Sequence, residues 1–516
     1  MRAVGAESVP AELRDRYLDQ GWWHATTVRA GLEAHAGRTP ERLAVSDATA
    51  RWTYADLERA VATTLGGLRR HGVGDGSPVL VIAPLIAPAV AAYCAVVRAG
   101  GLAVMLDRRC GRADVRHAVT AVAPELVVTT PELAEQLDVA ASGVPTVTFD
   151  ELLAAPADRD WAEPDPDRPV AVVFTSGTTS RPKGVVHSLD TLRAGARSMA
   201  DALTLTDADN AFLSTPLASI TGLVQVHLTL DRGAGLLLED RFDAAGSLAR
   251  LRAEGATVLG GAPVILEELF RQAQRQDLRE LPLRGICLGG AMIPRDLLEL
   301  AVDRYGIRPV RIYGSSEIPC ATTTRPTDEG PARLGDDGAP AAGVELRLAD
   351  DPTGELLVRG PMRFLGHLDE QDDAATFLPG GWFRTGDLGR VEDGRLTVAG
   401  RLKEVVSRKG LKISLTELDD VLRRLPHATE VVAFGVPDPD TGERLAIALR
   451  THEPDAVEFD AVIDWLLDAG LAKWKLPEQV DLWTGPLPRT TSGKIQRRLV
   501  ADGAGRHSTL LAPRLR

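Results

Sequence analysis

Phe174-Thr-Ser-Gly-Thr-Thr-Ser-Arg-Pro-Lys-Gly184 ends an apolar run, Val170 to Phe174, whose β-branched residues suit a buried strand. The run breaks into small hydroxyl and glycine residues, Thr175 to Ser180, and then reaches Lys183. Small residues let backbone N–H groups turn inward, and such a nest binds anions. Added hydroxyls and a lysine suit a polyphosphate. The spacing is not that of GxxxxGK[ST], so the P-loop NTPase mechanism does not carry over. Ser-Gly-Thr-Thr taken alone is a common turn. Support must come from elsewhere in the chain.

At 516 residues the chain is too long for one ordinary core, so two or more units are expected. An apolar share of 44% and a charged share of 25% belong to the soluble globular class. The net charge of −13 opposes nonspecific binding of nucleic acid or an anionic membrane, yet leaves room for a local basic site. Cys94, Cys110, Cys287 and Cys320 lack CxxC or zinc spacing, which points to a reducing, cytoplasmic setting without a structural metal. Acidic residues Glu7, Glu12, Asp15 and Asp19, with no apolar core, argue against a signal peptide. Val79 to Val97 lacks charges over a membrane-spanning length. Pro84 and Pro88 interrupt it, so strand, loop and buried helix are expected instead of a span.

Along the chain, Ala11 to Trp23 reads as a helix packed on the body. Thr53 and Asp56 have capping-box spacing ahead of Leu57, Val61, Leu65 and Leu68 on one helix face. Short apolar runs then alternate with helical stretches as far as Ile312. That pattern predicts an α/β fold of parallel sheets covered on both faces. Ligands of such sheets sit beyond the strand carboxyl ends. The phosphate loop, Gly289-Gly290-Ala291 and Tyr313-Gly-Ser-Ser-Glu317 each follow a strand-like run. From Gly335 to Gly400 the texture becomes that of a small β-rich subdomain, and past Arg401 a compact α+β unit begins. The expected organisation is an N-terminal domain over 1–400, a hinge at 401–404, and a mobile C-terminal domain over 405–516.

Four further motifs carry chemistry. Tyr313-Gly314-Ser315-Ser316-Glu317 offers a ring for a base, hydroxyls and a carboxylate. Trp382-Phe-Arg-Thr-Gly-Asp387 ends in an Asp, and a carboxylate is the natural acceptor for paired ribose hydroxyls. Gly400-Arg401-Leu-Lys403-Glu404 lies at the domain boundary, and Pro488-Arg-Thr-Thr-Ser-Gly-Lys494 lies near the C-terminal end.

In order and spacing, the five motifs resemble those of the acyl- and aryl-adenylate-forming enzymes: CoA ligases, peptide-synthetase adenylation domains and luciferases. The resemblance implies that Thr175, Ser176, Gly177, Thr178, Thr179, Gly289 and Gly290 line the nucleotide site. It has Lys183 act with the triphosphate, Tyr313 pack on adenine and Ser316 contact phosphate or carboxylate, with Gly314 and Ser315 also in the nucleotide site. Glu317 then holds Mg²⁺, Asp387 binds ribose, and Arg401 meets ribose or phosphate. Lys403 becomes the hinge, and Lys494 reaches the α-phosphate and the acid during adenylation. Magnesium needs only one or two protein carboxylates when phosphates supply the rest.

The implied reaction joins a carboxylate to ATP as acyl-AMP, followed by thiol attack. Only residues 495–516 follow Lys494, too few for a carrier domain, so free CoA or a separate carrier protein is the expected acceptor. Ser407-Arg408-Lys409-Gly410-Leu411-Lys412 resembles the CoA-tunnel loop of the ligase branch. Lys409 with Gly410 then guides CoA, and Arg408 or Lys412 meets its phosphates. No acidic residue stands between Ala211 and Leu230, which disfavours an α-amino acid. Pro216-Leu-Ala-Ser219-Ile-Thr-Gly-Leu223 resembles the family's Pro-Leu-x-His-x-x-Gly-Leu, with Ser219 in place of His. That change suggests a bulky, ring-bearing or hydroxylated acid. Thr221, His227, Gly261, Ala262 and Ala291 are the other expected pocket walls. Alternatives stay open: loading of a carrier protein, thioesterification of a preformed adenylate, and luciferase-like or N–N bond-forming chemistry on the same scaffold. Retention of Glu317 and Lys494 speaks against a nonenzymatic binder. A monomer or homodimer is expected.

Overall fold

The computed structural model describes residues 9–23, 28–159, 165–175, 182–290, 293–330, 334–351, 353–402, 404–408, 411–489 and 495–515. Two compact units emerge. One contains residues 1–346, 358–383 and 391–396; the other contains 347–357, 384–390 and 397–516.

The larger unit is built on two mostly parallel sheets. Their strands, in chain order, are β1 (Leu43–Ser46), β2 (Arg51–Thr53), β3 (Pro78–Ala83), β4 (Leu102–Asp107) and β5 (Leu126–Thr129). Then come β6 (Thr146–Thr148), β7 (Pro169–Thr175), β8 (Lys183–Ser188), β9 (Asn210–Leu213) and β10 (Gly235–Leu238). The set ends with β11 (Val258–Gly261), β12 (Gly285–Leu288), β13 (Arg308–Tyr313), β14 (Thr322–Thr323) and β15 (Ala339–Pro340). One sheet runs β15-β14-β13-β12-β11-β9-β10-β1-β2; the other runs β8-β7-β4-β3-β5-β6, with Gly366–His367 added outside β8. Strands β9 to β13 pair in parallel, as do β3 to β7 within their sheet. The alternation of apolar runs and helices therefore becomes the covered α/β architecture that it predicts.

Each sheet is sealed by aliphatic side chains. Phe212, Leu259, Ile286 and Leu288 meet Leu266, Phe270 and Leu298 from covering helices; Leu80, Val104 and Val172 meet Val115 and Ala118. Full burial of one such side chain stabilises by about 1.5–3 kcal/mol. Val79 to Val97 resolves into β3 and the buried helix Ala87–Arg98, with Pro88 in its first turn. No helix among the described residues is long and apolar enough to cross a membrane. Thr53 caps Tyr54–Arg70, and its N–H donates back to Asp56 at 3.1 Å. Leu13, Tyr17 and Trp23 form a small cluster, and the Trp23 indole N–H donates to the Pro361 carbonyl at 2.8 Å. The four cysteines are free, and burial pushes the thiols of Cys94, Cys110 and Cys287 up to about 12.

In the smaller unit, Glu430–Asp438 and Gly442–Arg450 form a long antiparallel pair, and Gln479–Trp483 joins it in parallel. Val462 and Leu466 of the helix Phe459–Asp468 pack on Ile447 and Leu449 of this sheet, together with Leu418 and Leu422.

Candidate active site

β7 has an antiparallel partner in β8, which pairs along it with Thr175 opposite Lys183. Lys183, expected in a loop, is the first residue of β8. Its ammonium lies 3.0 Å from the Asp372 carboxylate. The segment beside it is locked by the Leu368 N–H, which donates to the Gly184 carbonyl at 2.9 Å. The Pro182 carbonyl accepts from His117 Nε2 at 3.0 Å. Ser176, Gly177, Thr178, Thr179, Ala291, Lys403, Lys409, Gly410 and Lys494 lie outside the described residues.

At the carboxyl edge of the larger sheet, neighbouring strands β9, β11, β12 and β13 bring Thr215, Gly261, Gly289 and Tyr313 to one side. Gly289 is required there: a Cβ would lie 2.6 Å from the Ile312 carbonyl oxygen. Gly314 is required for the same reason, with the Pro319 carbonyl 2.4 Å from its would-be Cβ.

The turn after β13 is held at successive residues. The Ser315 N–H donates to Ile318 O at 3.0 Å, and the Glu317 N–H donates to Ser315 Oγ at 3.2 Å. The Phe364 N–H donates to the Glu317 carbonyl at 2.7 Å. His187 of β8 donates from Nε2 to the Ser316 carbonyl at 2.7 Å, linking β8 to this turn. A carbonyl only accepts, so in the neutral ring Nδ1 is the acceptor and Thr191 Oγ1 donates to it at 3.0 Å. Burial pushes the His187 pKa down to about 4, keeping the ring neutral.

With its backbone tied on both sides, Glu317 keeps its half-buried carboxylate without a hydrogen bond or ion pair among the described residues. Two free hard oxygens fit Mg²⁺. Among the described residues no cluster of three or more candidate ligands exists, so such an ion would draw its remaining ligands from phosphate and water.

In the smaller unit, buried Asp387 lies 3.5 Å from Arg401 Nε. Thr385 Oγ1 accepts from the Asp387 N–H at 3.0 Å, and Leu402 N–H donates to Gly386 O at 2.7 Å. The structure thus brings together two expected nucleotide contacts. Arg408 is turned inward: it donates to the Leu476 carbonyl at 3.0 Å and to the Trp474 carbonyl, and meets Glu478 at 3.2 Å. Lys412 pairs through its backbone with Ser407 in the hairpin Val405–Arg408/Leu411–Ser414.

Ser219 caps the helix Ile220–Arg232. Its hydroxyl accepts from the Gly222 N–H at 3.1 Å and donates to Pro216 O at 2.7 Å. Its hydrogen-bonding capacity is thereby committed locally. His227 pairs with the Tyr93 hydroxyl at 2.7 Å between two buried helices, and burial pushes it down to about 3. Sequence reasoning missed Asp372, His187 and Gln225. Only Gln225 had a local signal, a polar residue one turn after Thr221 in an apolar helix.

The pattern of the AMP-binding enzymes matches residues 32–368, and that of the AMP-binding enzyme C-terminal domain matches 417–494. The chain belongs to this family. It stands among AMP-forming acyl-CoA and aryl-CoA ligases. It is 30% identical over 500 residues to an indoleacetate–CoA ligase of Aromatoleum aromaticum, covering 91% of this chain and 97% of the relative. It is 30% identical over 478 residues to a feruloyl-CoA synthase of an Amycolatopsis species, covering 89% and 95%. The O-succinylbenzoate–CoA synthetase of Bacillus subtilis, solved with ATP and magnesium, superposes with a TM-score of 0.81 at 26% identity, covering 91% and 98%.

Proposed function

We propose that this ligase activates a bulky or ring-bearing carboxylic acid as acyl-AMP and transfers the acyl group to CoA. The observation that carries the reading is the Glu317 carboxylate, unpaired among the described residues, on a turn fixed by His187 and Phe364. The acid's oxygen attacks the α-phosphorus, and the bond to pyrophosphate breaks. The thiolate then attacks the acyl carbon, and AMP leaves. Mg²⁺ held by Glu317 would neutralise phosphate charge. Lys183 acts on the triphosphate, Tyr313 packs on adenine, and Asp387 with Arg401 holds the ribose. Lys494 offsets the repulsion between acid and α-phosphate, and Lys403 is the hinge. Lys409 with Gly410, and Lys412, serve CoA; Arg408 supports them from within.

The ring-bearing acids in the names of the two relatives support the substrate class. ATP–pyrophosphate exchange across a panel of carboxylic acids tests the first half-reaction. Offering CoA and a phosphopantetheinyl carrier to the active acids tests the second. Exchange with no acid, together with thioester formation from supplied acyl-adenylate, would favour an enzyme of the second half-reaction alone. Turnover with carrier but not CoA would make it a carrier-loading ligase.

A further inference from the structure

The helix Ile220–Arg232 buries three polar side chains in its middle, Gln225, His227 and Thr229. Two are well paired. His227 meets Tyr93, and the Thr229 hydroxyl donates to the Gln225 carbonyl at 2.9 Å. Gln225 is different. It is 4% exposed, and its amide makes a single long contact, Nε2 to the Gly260 carbonyl at 3.4 Å. Its amide oxygen and second N–H have no partner among the described residues. A carbonyl cannot donate, so the nitrogen must be the end facing Gly260 O, and the oxygen is the end left over. The oxygen is not among the sealed, unpartnered polar atoms of the described residues, so it reaches open space instead of lying dry in the core.

The place of this amide is informative. Gly260 stands near the carboxyl end of β11, opposite Leu213 of β9 and Cys287 of β12. A Cβ on Gly260 would lie 2.8 Å from Gln225 Nε2 and 3.1 Å from Oε1. The amide therefore fills the space that a side chain at 260 would take. Thr221 precedes it by four residues on the same helix face, and Gly261 and Ala262 follow Gly260. None of these residues carries a charge.

We propose that Gln225 is a specificity-determining residue whose amide selects a carboxylic acid carrying a neutral hydroxyl, oxo or amide group away from its carboxylate. The inference rests on the acid–thiol ligase reading and names the substrate class within it. An acid with that group pairs the free amide oxygen or N–H; its hydrocarbon analogue leaves both unpaired, and the site discriminates against it.

The test is ATP–pyrophosphate exchange by the full chain with matched acids: cinnamate against p-coumarate, phenylacetate against p-hydroxyphenylacetate, and naphthoate against hydroxynaphthoate. The wild type is expected to favour the oxygenated member in kcat/KM. Gln225→Leu is expected to cut that preference on the order of 10- to 100-fold, with KM for ATP unchanged. Gly260→Ala, which displaces the amide without removing it, is expected to shift the ratio the same way and serves if Gln225→Leu fails to fold. A ratio unmoved in both variants, or equal loss for both members of each pair, overturns the assignment. So does exchange confined to the hydrocarbon members. Absence of exchange with every acid overturns the ligase reading and this one with it, whereas a fixed ratio with robust exchange overturns this one alone.

Discussion

The ammonium of Lys183 stands 3.0 Å from the Asp372 carboxylate, tying the first residue of β8 to the short helix Glu370–Asp373. A triphosphate that recruits Lys183 competes with this partner. Both side chains are partly exposed, so the pair is worth about 0.5–1 kcal/mol. Asp372→Asn is expected to lower KM for ATP about two- to fivefold, and Lys183→Met to raise it, both read in pyrophosphate exchange. A higher KM in Asp372→Asn would mean that the carboxylate holds the lysine in its working place, and would reject competition.

Glu317 and Lys494 are expected to be felt in different half-reactions. Lys494→Ala should slow acyl-adenylate formation about 100-fold or more, as loss of a charge-stabilising group does. Its rate of thioester formation from supplied acyl-adenylate should stay within a few fold. Glu317→Gln should also slow adenylation, with the magnesium dependence shifted to higher concentration. Full-speed adenylation by Lys494→Ala contradicts the assigned role.

Two buried histidines predict acid sensitivity well above the carboxylate range. Burial lowers His187 from 6.5 to about 4 and His227 to about 3. Between these values and 6.5 the unfolded chain binds protons that the folded chain refuses. Stability is therefore complete above 6.5 and falls as pH drops, by up to about 1.4 kcal/mol per pH unit for each ring. Denaturant midpoints measured from pH 7 to 4.5 should fall less steeply in His187→Asn and His227→Gln. Slopes identical to wild type in both variants count against this account.

Gly314→Ala tests the turn itself. The added Cβ must displace the Pro319 carbonyl, a backbone group with little freedom. A loss of about 1–3 kcal/mol is expected, with a larger loss of exchange activity than of folded protein. Unchanged stability would show that the turn yields readily.

Much of this architecture is legible in local pattern. The Thr53–Asp56 box and the split of Val79–Val97 at its prolines both follow from spacing and breakers within one element. The pairing of β7 with β8 was not legible. Gly184 to Ser188 is short, and its partner is set by the sheet, not by its own alternation. Asp372 and His187 were missed because their partners, Lys183 and Ser316, are remote in sequence, and no local pattern encodes such a meeting. Ser219 is the opposite case. A serine three residues before a glycine at a helix start is a readable cap, and the structure uses Ser219 as one. Arg408 reads as a basic loop residue in sequence, but nearby carbonyls claim its guanidinium.

The glycines along the sheet edge sort into two kinds by what stands over them. At 289 and 314 a peptide oxygen occupies the space, so those positions should resist randomisation. At 260 only a swinging amide does. A mutagenesis library aimed at retuning the accepted acid would therefore vary 221, 225 and 260 and leave 289 and 314 untouched. Selectivity should then drift while nucleotide handling stays put.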